Sequence, residues 1–309
     1  MTTPASASLL QERLLERAPG ASMLWANMTN APKTLEVFGL RFENTPMDMA
    51  AAGLVACARD HRPTRTVFVN AHVVNQMARN PAYANTIATA DRRFADGSGM
   101  AIAAKMNGTP FLDNLNGTDL FPVLCAEAIK AGVTIFLLGG KEGVAAEAAD
   151  NLRAFGLGAA IAGVHHGYFT PGDAEETRVI EAINASGATI LLAALGVPRQ
   201  DTWLEANAPR LNAPVLAGVG GLLDFFAGRV SRAPKGLRSI GLEWTWRLIQ
   251  EPGRMWRRYI IGNTLFLALA LGHAVRRNAR IIVFQTSAAS PKADAVIDHD
   301  PASGQRAEI

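Results

Sequence analysis

Between residues 133 and 219 the chain repeats one unit: a short run of uninterrupted apolar residues, a stop at glycine, then a longer amphipathic stretch. The run at 133–138 stops at Gly139 and Gly140, the run at 188–195 at Gly196, and the run at 214–219 at Gly220 and Gly221. Strands that are apolar on both faces must be covered on both, as a mainly parallel sheet flanked by helices covers them. Helices are expected over 119–131, 142–155, 174–185 and 202–211, with a further strand over 158–164. The preceding chain extends the pattern. It reads as a strand or hairpin over 35–42, a helix over 47–60 and a β-branched strand over 64–70 ending at Asn70. Helices over 72–80 and 81–90 then lead to a short segment ending at Asp96. The predicted fold is α/β: a Rossmann-like, mainly parallel sheet with helices on both faces. Ligands of such sheets gather at the carboxyl ends of strands, where Asn70, Asp96, Gly139, Gly140, Gly196, Gly220 and Gly221 all fall.

After Phe226 the character changes. Residues 229–280 hold eleven of the chain's 30 Lys/Arg but only two of its 27 Asp/Glu, which leaves the remainder acidic. A basic segment of this kind suits phosphates, whether of nucleic acid, anionic lipid or a diphosphate substrate, although a solvated basic face has the same composition. Trp244, Trp246 and Trp256 lie within it, followed by an apolar run over 260–275. That run is shorter than the ~20 residues that span a bilayer, and Asn263 interrupts it. It is read as an interfacial helix, the alternative being a helix packed on the core. Because the basic residues share their segment with membrane-type sequence, nucleic acid is not an expected partner. Apolar surface near 260–275 is expected to drive homo-oligomer formation when no membrane is present. Four segments follow: a loosely ordered 1–33 with a short amphipathic candidate at Leu9, Leu10, Leu14 and Leu15; an α/β body over 34–228; a basic and apolar C-terminal, membrane-associating appendage over 229–285; and a disordered tail over 286–309. Cys57 and Cys125 sit in apolar, helix-like stretches and read as buried thiols of a reducing cytoplasm. The N-terminal residues lack the basic-then-apolar order of a signal peptide.

Several loops bear on chemistry. At Asp96-Gly97-Ser98-Gly99 a strand is expected to turn into a small-residue helix, with Gly97 and Gly99 permitting positive φ. The helix end would offer N–H groups to an anion beside the Asp96 carboxylate. Asp96 is then a general base or merely a helix cap. In the loop Gly196-Val197-Pro198-Arg199-Gln200, Pro198 stiffens the turn and the Gln200 amide can read a base or sugar edge. Asp224, early in the helix after Gly220-Gly221, is placed to contact a ribose or to favour the helix dipole. The dinucleotide fingerprint is absent, since Gly139-Gly140-Lys141-Glu142-Gly143 does not fit it, and no Walker A sequence occurs. This argues against a nicotinamide-linked oxidoreductase. His165-His166 lack Cys or carboxylate partners at ligand spacing in the sequence, so no metal or other cofactor is expected. Phosphate charge would then be met by Arg and backbone N–H groups.

Residues 67–259 resemble the WecG/TagA/CpsF glycosyltransferases (glycosyltransferase family 26) through many ordered blocks. These include Asn70, the stretch from Ala90-Asp91 to Asp96-Gly97-Ser98-Gly99, Asn116-Gly117-Thr118-Asp119-Leu120 and Phe136 through Gly140. They continue with Gly167-Tyr168-Phe169, Leu195 through Trp203, Gly218-Val219-Gly220-Gly221, Arg232-Ala233-Pro234 and Gly241-Leu242-Glu243-Trp244. Arg247, Glu251-Pro252, Arg254, Arg257, Arg258 and Tyr259 close the series. The resemblance implies an inverting enzyme that moves a sugar from a UDP-sugar donor to a polyprenyl-diphosphate-linked acceptor. It implies a peripheral protein at the cytoplasmic face of the membrane, working in bacterial surface-polysaccharide synthesis. It casts Asp96 as the base, places Gln200 and Asp224 at the sugar-nucleotide site, and has Arg247, Arg254 and Arg257 close over the leaving UDP. Two positions depart from the pattern: Phe68 where many members carry Thr, and Asn114 where many carry Arg. The Asn114 change is expected to remove a phosphate or substrate contact. His72, just after Asn70, reads as an alternative base or as a structural histidine. A non-catalytic membrane-surface scaffold is the rival class. It accounts for the basic segment but not for functional loops at five strand ends.

Overall fold

The structure, a computed structural model, describes residues 33–234, 236–237 and 241–288. The amphipathic candidate near the N-terminus and the expected tail over 289–309 lie outside the described residues. A two-stranded antiparallel hairpin opens the fold, β1 (Thr34–Val37) with β2 (Leu40–Glu43). Then come α1 (Met47–Arg59), β3 (Thr64–Val69), α2 (Ala71–Arg79), α3 (Pro81–Ala88), β4 (Arg92–Ala95), α4 (Ser98–Met106) and α5 (Gly117–Ala131). The second half alternates β5 (Ile135–Gly139), α6 (Val144–Ala154), β6 (Ile161–His165), α7 (Ala174–Ala185), β7 (Ile190–Ala194), α8 (Arg199–Asn207), β8 (Val215–Gly218) and α9 (Leu222–Phe226). The appendage consists of α10 (Glu243–Gln250), α11 (Pro252–Trp256), a π-helical turn (Arg257–Ile261) and the long α12 (Gly262–Ala288).

Strands β3 to β8 form one all-parallel sheet in the order β4-β3-β8-β7-β5-β6, so the alternation in the sequence is the alternation of the fold. Side chains of each strand alternate between two buried faces. Phe68, Phe94, Ile135, Leu137, Ile190, Leu192, Val215 and Ala217 pack under α1, α5, α6 and α9. On the opposite face Phe136, Leu138, Leu191, Ala193 and Leu216 meet α7 and α8, while Val67, Val69 and Ala95 meet the hairpin, α2, α3 and α4. Phe68 fills core volume edge-on against Phe94, with centroids 5.5 Å apart. The expected strand over 158–164 is shorter at its start: Gly158–Ala160 winds into a 3₁₀ turn and the strand begins at Ile161. The helix expected from Thr202 instead starts at Arg199.

The apolar run is longer than the sequence reading allows, because the helix continues on both sides of it. Asn263 sits inside α12 without ending it, and the 20 residues Arg257–Arg276 are long and apolar enough to cross a membrane by length and composition. One face of this helix packs on the body: Phe266, Ala270 and Ala274, four residues apart, are buried. Phe266 and Ala270 join the core made by α2, α3 and α4. The other face leaves Leu267, Leu271 and Val275 exposed. Asn75 anchors the junction, donating from Nδ2 to the Gly262 carbonyl at 2.7 Å.

Candidate active site

Parallel register brings the strand ends to one edge. Val69 pairs with Ala95, Val67 and Ala193 with Gly218, and Gly139 with Ala194. Asn70 and Asp96, each one residue past its strand, therefore stand side by side. Asn70 caps α2, its Oδ1 accepting from the amides of His72 (3.1 Å) and Val73 (3.2 Å). That cap fixes which way the amide faces, so Nδ2 must point outward, and it donates to Asp96 Oδ2 at 3.0 Å. Asp96 keeps a partly open surface at the end of β4. Loss of water around the carboxyl nevertheless raises its pKa above the ordinary value, while the Asn70 amide, Arg247 and Arg258 pull it down and Glu243 pushes it up. A carboxylate whose pKa is moved toward working pH suits a general base.

Its charged neighbours come from the appendage. Glu243 and Arg247 are one helical turn apart on α10, so they share a face. A Cβ at Gly221 would lie 3.8 Å from the Arg247 guanidinium, which places Arg247 between Asp96 and the end of β8. Arg232 docks this segment on the body through a buried ion pair with Asp119 at 2.5 Å and a second contact to Glu243 at 3.4 Å.

The turn after Asp96 differs in part from expectation. Gly97 has φ +87°, as a sharp turn requires, but Gly99 lies within α4 and is not in the left-handed region. Gly99 serves close approach instead: a Cβ there would meet Phe266 at 3.3 Å and Ala71 at 3.4 Å. The appendage thus packs against the first turn of α4 at Gly99, while residues 96–99 keep partly open surface. The Gly97 amide donates to Asn114 Oδ1 at 2.8 Å, so Asn114 holds the turn after Asp96, a role its difference from the family pattern did not suggest.

The remaining predicted loops meet along the same edge. Gln200 is buried, and its Oε1 accepts from the Gly220 amide at 2.9 Å. It ties the Gly196–Pro198 turn to the Gly220–Gly221 turn rather than presenting a free amide. Gly139 lies so close to β7 that a Cβ would stand 2.5 Å from the Ala194 carbonyl oxygen. Gly140 accepts at its carbonyl from the Gly167 amide at 3.0 Å. Arg199 donates to the Phe169 carbonyl at 2.5 Å and lies over its ring, fixing the 167–169 loop. Asp224 is half-buried in the first turn of α9, and its carbonyl accepts from Arg229 and Val230.

Arg257 belongs to the π-helical turn, Arg247 to α10. Arg257 is exposed, with its guanidinium 5.2 Å from the Trp256 ring centroid. Arg254 is in α11, and its side chain lies outside the described residues. Arg257 and Arg258 line a cleft of about 640 Å³ together with Trp256 and with His72, Gln76 and Arg79 from one face of α2. His72 is pushed down to about 4, by burial first and then by Arg258 and Arg79, so it is neutral at pH 7. Sequence reading missed this cleft, because its two walls lie far apart in the chain. At the far edge of the sheet, Glu175 joins His165 and His166 so that their ligand atoms lie within 4.8 Å, a carboxylate partner that sequence spacing did not disclose.

Comparison with known protein families matches residues 35–280 to the glycosyl transferase WecG/TagA/CpsF family. The match covers the sheet, every strand-end loop of the site and most of α12. With the carboxylate, its oriented amide and the overlying arginines all inside that match, the chain belongs to the WecG/TagA/CpsF family of glycosyl transferases.

Proposed function

We propose that the protein transfers a sugar, with inversion, from a UDP-sugar to a polyprenyl-diphosphate-linked sugar during bacterial cell-surface polysaccharide synthesis. The observation that carries this reading is the Asp96 carboxylate at the strand-end edge, held by Asn70 and within the field of Arg247 and Arg258. Asp96 takes the proton of the acceptor hydroxyl. The hydroxyl oxygen bonds to the anomeric carbon as the bond from that carbon to UDP breaks, and UDP departs with the electron pair on its β-phosphate. Arg247, beside Gly221, is the cation best placed to neutralise that charge. Gly139, Gly140, Gly196, Pro198, Gly220, Gly221 and Asp224 shape the donor site, with Gln200 holding two of its loops together. Arg254 joins Arg247 over the donor in this reading.

The body is taken to end near residue 228, with the appendage beyond it peripheral on the inner face of the cytoplasmic membrane. The exposed Leu267, Leu271 and Val275 would meet lipid. In its absence the same stripe would favour self-association. Arginines in the leaving-group role make a divalent ion unnecessary.

The test is UDP release with a panel of UDP-sugars and a short-chain lipid-diphosphate sugar, comparing wild type with Asp96→Asn. Release confined to one donor, unaffected by EDTA and reduced by about 10²–10⁴ in the variant is expected. Near-normal turnover of Asp96→Asn would remove Asp96 as base, and EDTA loss reversed by a divalent ion would remove the metal-free step. Absence of UDP binding would favour the scaffold class.

A further inference from the structure

The cleft between α2 and the π-helical turn has a charge and shape of its own. His72, Gln76 and Arg79 recur at four- and three-residue spacing, so one face of α2 forms a wall. Three of the described lining residues are arginines, Arg79, Arg257 and Arg258. Arg79 and Arg257 are solvent-facing. Guanidinium groups converging on one cavity suit a multiply charged phosphate, which their planar forks recognise.

The cleft also has an apolar side. Met255, Trp256 and Ile261 line it, and Trp256 and Ile261 are 43% and 51% exposed, so the rim itself is hydrophobic. From that rim Ile260, Leu267, Leu271 and Val275 continue the exposed apolar surface along the appendage. The sixteen residues from Ile260 to Val275 run about 22 Å at helical rise. A free phosphate would use only the cationic side of this surface, whereas an amphiphile uses both.

The cleft is also separate from the donor loops. None of Gly139, Gly140, Gly196, Gly220 or Gly221 lines it. It is nevertheless coupled to the base, since Arg258 acts on both Asp96 and His72. The cap of the helix that walls the cleft is Asn70, which also holds Asp96. A second anion site beside the base, away from the nucleotide loops, fits the other substrate of a transfer between two diphosphates.

We propose that this cleft seats the diphosphate of the prenyl-linked acceptor on Arg79, Arg257 and Arg258, and that its apolar chain leaves past Trp256 and Ile261 along the exposed face of α12. The proposal rests on the transferase reading above and adds the acceptor's binding site to it. Arg79 is a binding residue here, remote from the reacting atoms.

The test is calorimetric titration of the full chain, without donor, using farnesyl diphosphate, inorganic diphosphate and phosphatidylglycerol vesicles. Wild type is compared with Arg79→Gln, an exposed substitution checked by its melting temperature, and with Arg79→Lys. Expected are saturable binding of farnesyl diphosphate, a Kd raised at least tenfold in Arg79→Gln, partial recovery in Arg79→Lys, and weaker binding of inorganic diphosphate. Saturating UDP should leave that Kd within about twofold, and vesicle partition should be equal in wild type and Arg79→Gln. An unchanged Kd in Arg79→Gln, competition by UDP, or equal affinity for inorganic diphosphate would overturn the proposal. A loss confined to vesicles would reassign the cleft to lipid headgroups, and so also overturn it. Arg79-dependent binding without UDP release from any donor would instead leave the cleft standing and sink the donor reading.

Discussion

Asn70→Asp separates two duties of one side chain. Asn70 caps α2 through Oδ1 and donates to Asp96 through Nδ2. Aspartate caps helices about as well as asparagine, so the variant retains the roughly 1 kcal/mol that an alanine would lose. It cannot donate to Asp96 when ionised. A hydrogen bond to a charged group contributes about 1.5–3 kcal/mol, which at 1.36 kcal/mol per unit corresponds to about 1–2 units of pKa. The Asn70 bond favours the ionised form of Asp96, so its loss raises the pKa, and a second carboxylate beside it raises the pKa further. A base works when deprotonated, so the acid limb of the kcat/KM profile should move to higher pH by at least 1–2 units. On that limb the rate should fall about 10- to 100-fold, with the melting temperature nearly unchanged. Asn70→Ala should show both the shift and a lower melting temperature. An acid limb that stays in place in Asn70→Asp would refute the argument that Asn70 tunes the base.

Two further outcomes test the framework around the site. Gly99→Val adds methyl groups where a bare Cβ already stands 3.3 Å from Phe266. It should cost about 1–3 kcal/mol of stability and speed hydrogen exchange in the first turns of α12; unchanged exchange there would contradict the packing role of Gly99. Asp201, buried with the Tyr83 hydroxyl donating to it at 2.6 Å, is pushed from 3.8 up to about 6, chiefly by burial and against the pull of Tyr83, Gln200 and Arg65. Because the folded protein holds this proton more tightly than the unfolded chain, its contribution is full below pH 3.8 and is lost as pH rises through about 6. Asp201→Asn should therefore gain on wild type by about 2 kcal/mol in unfolding free energy between pH 4 and pH 7. A difference that stays flat across that window would show that the proton on Asp201 does not matter to folding.

The sheet was legible because its cause is local. Each of β5, β7 and β8 is buried on both faces, so the apolar run that marks it in the sequence is the same run that fills two cores. Asp96 was legible for a related reason, since Gly97 at φ +87° ends the strand beside it. What the sequence hid are facts about what comes near. A glycine signals either a left-handed backbone or a close neighbour, and nothing within residues 96–99 separates the two. Phe266 does so for Gly99, from 167 residues away. Gln200 looked free to read a substrate because its partner, the Gly220 amide, belongs to the next strand's loop. Asn114 looked like a lost arginine until the Gly97 amide stood in front of it.

The arginines show the same limit at larger scale and lead to a division of labour. As a composition, the segment over 229–280 is simply basic, and one undifferentiated role over the leaving group is the natural reading. Its helices separate those charges. Arg247 rides on α10 beside Gly221, Arg232 is taken up by Asp119, and Arg257 and Arg258 turn with the π-helical segment toward α2. The proposed transfer between two diphosphate substrates would benefit from this separation. A single cationic cluster would hold both anions in one place and stabilise bound substrates as well as the departing UDP, with no gain in the chemical step. In the proposed reaction Arg79, Arg257 and Arg258 would hold the acceptor's charge throughout, while Arg247 would answer only the charge that develops as the donor bond breaks. On this reasoning Arg247→Ala should lower kcat with little change in acceptor KM, and Arg79→Gln should raise acceptor KM with little change in kcat. Steady-state kinetics at saturating donor separates the two, and a matching fall in kcat for both variants would collapse the two clusters into one.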